Sequence, residues 1–379
     1  MKFNGIGKLS LTALLVSSAI SANAGIVSID GERGKFSIDG DVEFDINYQN
    51  HKSDDIADAE NDFQLDQTGR ILFDFKGERT INGYTFKSKV SPGYGADGGL
   101  FVDDVWFAIA SNEGGEFKIG HFEAYDLFPA GQDTFLDHYA DSGDGVVSDS
   151  QPYMYRAKEA RGRGDNGQLM YSHSFDNLYV EVAVKIGDGT DIFDDGQYHG
   201  KNVQSGNDVF IVRPVVAYQA GNFKVAAGLE KNLVSDSAVI TVNGKQVDIL
   251  DRTGYGVTGN YSDGDFYVNL SYSAMDAVDE ENVTYGISAG YAGFGLGYIA
   301  AENEISAIET GGTFVGDVEV SSIYASYKFS NVFDVEDFSI YVGGYQSTAK
   351  EKNVTMGVGQ YNVDGEDDKG LRMRLKYFF

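Results

Sequence analysis

The chain has no cysteine, one tryptophan and only four prolines in 379 residues, and past residue 24 it has no apolar run of 18 residues. Disulfides are therefore excluded as a source of stability, and a bundle of transmembrane helices is excluded with them. Scarce proline leaves long strands uninterrupted. Bases are also few: 29 Lys and Arg against 58 Asp and Glu give a formal charge of −29, which repels nucleic acid and anionic bilayers. The five histidines, His51, His121, His138, His173 and His199, show no metal-ligand spacing. His138 lies near Asp137 and Asp141 but has no Gly-x-Ser-x-Gly context beside it, so the sequence points away from an enzyme and calls for no cofactor or metal.

What the chain does have is glycine (48), tyrosine (24) and phenylalanine (25), together with a two-residue period. The last nine residues alternate strictly, with Leu371, Met373, Leu375, Tyr377 and Phe379 on one face and Arg372, Arg374 and Lys376 on the other. Phe36 to Tyr48 repeats the pattern, setting Phe36, Ile38, Val42, Phe44, Ile46 and Tyr48 against Asp39, Asp41, Glu43 and Asp45. Counting such segments gives about sixteen strands, an even number suited to an all-β, closed antiparallel transmembrane barrel. Closure would set the acid row of the first strand (Asp39, Asp41, Glu43, Asp45) beside the bases of the last (Arg372, Arg374, Lys376). Tight turns are expected at 82–83, 112–115, 176–177, 221–222, 263–264 and 292–293. Long connections are expected near 50–66, 91–103, 187–207, 232–252, 301–317 and 347–368.

Residues 1–24 fit an export signal: Lys2 and Lys8 lead, Leu11 to Ile20 is apolar, and Ala22-Asn23-Ala24 supplies small residues for cleavage. Removing these 24 of 379 residues would leave a barrel domain of 355, residues 25–379, and losing two lysines would take the charge from −29 to −31.

Between 121 and 163 the alternation stops, and a connection of that length usually has a task. With the signal segment, the strand count and the terminal Phe379, this long connection after the fifth strand resembles the trimeric sixteen-stranded porins of Gram-negative outer membranes. In that family the third external loop folds into the barrel and narrows the pore. Phe122 to Asp137, with Leu127-Phe128-Pro129 and Gln132-Asp133-Thr134, is similar to carbohydrate-selective porins of the chitoporin kind. The resemblance implies a water-filled channel for small hydrophilic solutes with a preference for sugars, or failing that a general diffusion pore. Adhesin barrels and barrel hydrolases are the remoter readings. It also implies sugar-stacking aromatics, for which Trp106, Tyr125, Phe128 and Phe135 are available.

Strand parity places Arg70, Lys76, Lys87, Lys89, Arg156, Arg161, Arg163 and Arg213 as a basic wall. The loop residues Glu123, Asp126, Asp133, Asp137 and Asp141 would face it as the acidic side of a constriction. The expected partners are two further copies of the chain, outer-membrane lipid, lipopolysaccharide bridged by divalent cations, and the assembly machinery, which would read Tyr377 and Phe379 as its signal. Nucleic acid is not among them.

Overall fold

The computed structural model describes residues 27–50, 63–132, 154–162, 167–193, 196–357 and 367–379. Within them, sixteen antiparallel strands close into one barrel. They are β1 (Gly34–Asn50), β2 (Phe63–Ile81), β3 (Tyr84–Gly95), β4 (Leu100–Ser111), β5 (Gly115–His121), β6 (Gly167–Phe175), β7 (Leu178–Gly187) and β8 (Val209–Ala220). The second half comprises β9 (Phe223–Asn232), β10 (Thr253–Asp263), β11 (Phe266–Ala277), β12 (Glu280–Tyr291), β13 (Phe294–Ile305), β14 (Val315–Ser330), β15 (Phe338–Met356) and β16 (Asp367–Phe378). Each strand pairs with the next, and β16 pairs back onto β1, setting Glu43 opposite Lys376 and Asp45 opposite Arg374. No described helix is long and apolar enough to cross a membrane, and the strands do the crossing instead.

Parity divides the two faces. Val182, Val216, Leu270, Ile287 and Leu296 project outward and stay exposed, while polar residues such as Asn269, Thr284 and Ser322 turn inward and are buried. Two aromatic belts bound the outward apolar band. Phe223, Tyr261 and Phe266 lie in one, with ring centroids 4.7 and 6.0 Å apart. Tyr255 and Tyr272, and Tyr285 and Tyr298, lie in the other at 6.3 and 6.4 Å. Phe266 and Tyr272, one in each belt, are six residues apart on β11, about 20 Å along the strand.

Short turns gather at one end. Asn82-Gly83 and Ala292-Gly293 both have two consecutive positive φ angles, as a two-residue hairpin with the sheet's own twist requires. A turn the sequence did not signal, 331–337, joins β14 to β15 at the same end. At the other end one connection differs from expectation. Residues 91–103 belong almost wholly to β3 and β4, with only 96–99 between them, because a bulge rather than a loop breaks the alternation there. The β11–β12 connection is the tight pair Val278 and Asp279.

Asp279 anchors its neighbour, the 306–314 connection. Its carboxylate accepts Ser306 Oγ at 2.6 Å and the backbone N–H groups of Ile308, Glu309 and Thr310 at 3.2, 2.8 and 2.7 Å. Burial pushes this carboxyl upward, but the hydrogen bonds from Ser306, Thr310 and Glu309 outweigh it and hold it below the usual aspartate range.

The barrel seam is a ladder of charge. Arg374 donates Nε and Nη2 to the two oxygens of Asp45, both at 2.8 Å, and reaches Glu43 at 3.2 Å. Lys376 meets Glu43 at 2.9 Å, and Arg372 donates to Asn47 Oδ1 at 2.7 Å. The terminal Phe379 exchanges backbone hydrogen bonds with Gly40 at 3.0 and 3.1 Å and leans its ring toward Phe73, 5.8 Å between centroids. Asp39 bonds Lys76 of β2 at 2.6 Å rather than a base of β16.

Breaking a buried ion pair from one side costs about 3 to 5 kcal/mol. Arg374→Glu, which sets three acids together, should therefore lower the temperature at which the folded form converts to the unfolded band on gels. Asp279, with its folded pKa depressed, stabilises fully above the unfolded aspartate pKa, and this is lost as pH falls through the folded value. Proteolysis at 306–314 should therefore rise on acidification, and in Asp279→Asn it should be high at every pH.

Candidate functional site

The inner wall from β16 through β5 carries an ion-pair ladder. Lys76 lies 3.3 Å and Lys89 3.0 Å from Asp74, which so bridges two lysines that stand opposite each other in register. Lys89 also donates to Asp104 at 2.9 Å, Lys87 donates to Glu116 at 2.8 Å, and Lys118 reaches Glu116 at 3.5 Å. Arg70 lies 3.9 Å from Asp41 and 3.8 Å from Asp103. Asp103 and Asp104 are consecutive, yet both meet inward bases. Between Val90↔Val105 and Pro92↔Val102 strand β4 spends one more residue than β3, and this bulge turns both acids to the interior.

With the seam, the ladder joins eight carboxylates (Asp39, Asp41, Glu43, Asp45, Asp74, Asp103, Asp104, Glu116) to eight bases (Arg70, Lys76, Lys87, Lys89, Lys118, Arg372, Arg374, Lys376). The wall is thus mixed in sign, where the sequence suggested a basic wall opposed by an acidic loop. The physical reason is local: each inward base has an inward acid on the same or a neighbouring strand, closer than any described loop acid.

Opposite this arc the interior is lined by small residues, and residues 122–132 run along them. A Cβ on Gly228 would come within 2.6 Å of Leu127, one on Gly286 within 2.9 Å of Phe128, and one on Gly295 within 3.0 Å of Gln132. These glycines make a shallow seat that any larger side chain would fill. Gln132 holds the far end, donating to Gly293 O and accepting Ser326 Oγ, both at 2.9 Å, while Tyr324 donates to Ala130 O.

Three buried charges on adjacent strands hold the near end. Glu181 of β7 accepts Tyr125 N–H at 3.2 Å and Tyr179 O–H at 2.6 Å. Arg213 of β8, with no exposed surface, donates to Tyr125 O at 2.8 Å and Ala157 O at 2.7 Å. Glu230 of β9 accepts Tyr155 O–H at 3.0 Å and Ala160 N–H at 2.9 Å. Arg213 lies 3.5 Å from Glu181 and 3.9 Å from Glu230, so one guanidinium bridges the two carboxylates and, through its bonds to Tyr125 O and Ala157 O, ties the outgoing segment 122–132 to the returning segment 154–162. Burial, then the nearby Glu230 and Glu159 carboxylates, holds the Tyr155 hydroxyl well above the ordinary phenol range, so it remains a donor.

Arg213 departs from a pore-lining role because it is sealed beneath the seated segment. Arg161 pairs with the loop's own Glu123 at 3.3 Å and approaches Asp126 at 4.0 Å. Arg156 stands 5.9 Å over the Phe128 ring. Tyr125 and Phe128 are buried, Tyr125 against Tyr179 and Phe128 on Gly286, so neither presents an open face for a sugar. Trp106 is half-buried beneath Lys118, 4.7 Å from its ring centre. Arg163, Asp133, Asp137, Asp141 and Phe135 lie outside the described residues.

Reasoning from sequence missed Asp103 and Asp104, and it missed the glycine seat, whose signal is glycine at inward parity on β9, β12 and β13. Residues 286–290 also spell Gly-x-Ser-x-Gly, but in the middle of β12. Ser288 there accepts from Asn269 at 2.9 Å, with none of the strand-to-helix turn that exposes a nucleophile.

A family model described as porin-like glycoporin RafY matches residues 38–379. No curated protein sequence matches the chain. Among solved structures, the outer membrane channel DcaP of Acinetobacter baumannii is similar with a TM-score of 0.60 at 12% identity, over 93% of this chain and 100% of that one. A loop L8 deletion mutant of OmpT, an outer membrane protein of Vibrio cholerae, gives 0.59 at 15% identity over 92% and 100%. The anion-selective porin from Comamonas acidovorans gives 0.55 at 15% over 91% and 99%. At these identities the likeness carries the fold.

Replacing Arg213 with Ala would leave Glu181 and Glu230 buried without their shared base, a cost of about 3 to 5 kcal/mol. The expected result is a lower unfolding temperature and a raised, noisier single-channel conductance as residues 122–132 leave the wall. Gly286→Leu, which fills the seat without touching the charges, should alter conductance in the same way with a smaller thermal loss.

Proposed function

Because the chain belongs to the porin-like glycoporin RafY family, we propose that this outer-membrane porin channel passes small hydrophilic solutes with a preference for sugars or oligosaccharides. The observation that carries the reading is the balanced ladder of eight acids and eight bases facing the seated segment. A pathway between them offers dense hydrogen-bond donors and acceptors with little net charge, an environment that suits a neutral polyol better than a bare ion. The family description, which names a glycoporin, supports the same preference.

The general diffusion pore is the second reading, favoured by one observation. The chain's −29 charge lies outside the balanced ladder and would draw cations to the mouths, giving weak cation selectivity. In either case the barrel is a channel, not an enzyme. The reading further includes export by residues 1–24, assembly as a homotrimer, contact with lipopolysaccharide through divalent cations, and recognition of Tyr377 and Phe379 by the assembly machinery. The sugar-stacking and constriction roles of Trp106, Phe135, Asp133, Asp137, Asp141 and Arg163 belong to it as proposals.

Planar-bilayer recording tests the reading. Purified protein should insert in conductance steps grouped in threes, and added malto- or chito-oligosaccharides should produce resolved blockades whose frequency rises with concentration. Indifference to every oligosaccharide would leave the general diffusion pore, and a barrel that passes no current would remove both.

A further inference from the structure

Where β13 to β16 meet β1, the outward face holds a groove of about 560 Å³. Leu296, Ile323, Leu371 and Tyr48 stand around it, and its floor is Ala325 and Gly344, which face each other across β14 and β15. Adjacent strands lie about 4.8 Å apart, so a floor of two small residues is about one hydrocarbon chain wide and too narrow for the side of a second barrel.

Leu296, Ala325, Gly344, Leu371 and Tyr48 form one outward row, and Tyr298, Ile323, Gln346 and Lys369 form the next. Such rows climb across the barrel because the strands are tilted, so height is read along β16 itself. At its short-turn end Tyr377 lies in an aromatic belt with Phe338 and Phe379, and such belts sit at the level of lipid headgroups. The exposed Lys369 is eight residues, about 26 Å, further along β16, which brings it to the opposite headgroup level beside a hydrocarbon-wide channel. Lys350, four residues beyond Gln346 on the same face of β15 and about 13 Å further along, adds a second exposed base.

We propose that this groove holds an acyl chain of a phosphate-bearing membrane lipid, whose phosphate is taken by Lys369 with Lys350 behind it. Apolar packing below and a cation at the interface are the two halves of anionic-lipid recognition. The site faces away from the interior, so it is independent of which solutes the channel passes.

Native mass spectrometry from a neutral detergent tests the assignment, using phosphatidylglycerol and phosphatidylcholine with identical acyl chains. Wild-type protein should retain phosphatidylglycerol over phosphatidylcholine about fivefold, the preference expected of one lysine near an anionic surface. Ala325→Trp should lose retention of both lipids, and Lys369→Glu should lose the preference alone. The shift between folded and heat-unfolded bands on gels verifies that each variant forms a barrel. Equal retention of the two lipids by wild type, or unchanged retention in Ala325→Trp, overturns the proposal. So does a changed oligomer mass in Ala325→Trp with lipid retention intact, which would assign the groove to a second copy. Conductance of both variants should match wild type; failure of wild-type protein to conduct would count against the channel and not against the lipid site.

Discussion

The structure depends on closure of the sheet upon itself. In hydrocarbon there is no water to satisfy an unpaired backbone N–H or C=O, and each one left open costs several kcal/mol, so a strand of this chain is tolerable in a bilayer only if both its edges are paired. The pairing of β16 with β1 removes the last two edges, and the side chains there are matched to it: Glu43, Asp45 and Asn47 on one strand meet Lys376, Arg374 and Arg372 on the other in a single register. A slip of one residue would turn Arg372, Arg374 and Lys376 to lipid. Register is thus fixed by charge inside and by hydrocarbon outside at once.

Closure also creates the interior in which the rest of the molecule is built. One arc of the wall is wide and ionic, and the other is small-residued and occupied by residues 122–132. The two arcs have opposite construction because they have opposite work. The ionic arc keeps long side chains upright by pairing each with a neighbour. The glycine arc gives up side-chain packing on the sheet so that a second layer of backbone can approach it. Buried charge is expensive, and the Glu181, Arg213 and Glu230 set is stable only because each group is also hydrogen-bonded to the segment it holds.

The barrel, its strand number, the phase of each face and the seam were legible in the sequence, because a period of two with one apolar face is a strong and repeated signal. The pairing of Glu43, Asp45, Arg372, Arg374 and Lys376 could be read from order alone, since first and last strands must become neighbours. What could not be read was local. The bulge at Asp103 and Asp104 interrupts the alternation, and with Pro92 and Gly93 opposite it resembles a loop. The destination of Arg213 depends on residues 88 positions away in the chain. Parity gives the face a side chain points to, but not whether another segment covers it, and so Arg213 reads as part of an open wall when it is sealed beneath residues 122–132.

The seated segment has one consequence for how the molecule is made. Residues 122–132 leave β5, yet their seat is drawn from β7 through β14, and the bond from Tyr324 to Ala130 spans 194 positions. The segment is therefore synthesised well before the surface that receives it. Contacts this distant in sequence form slowly because the intervening chain must first be ordered. The seat is complete only once β14 has joined the wall, so the bonds from Ala130 and Gln132 to Tyr324 and Ser326 cannot form before most of the barrel is in place.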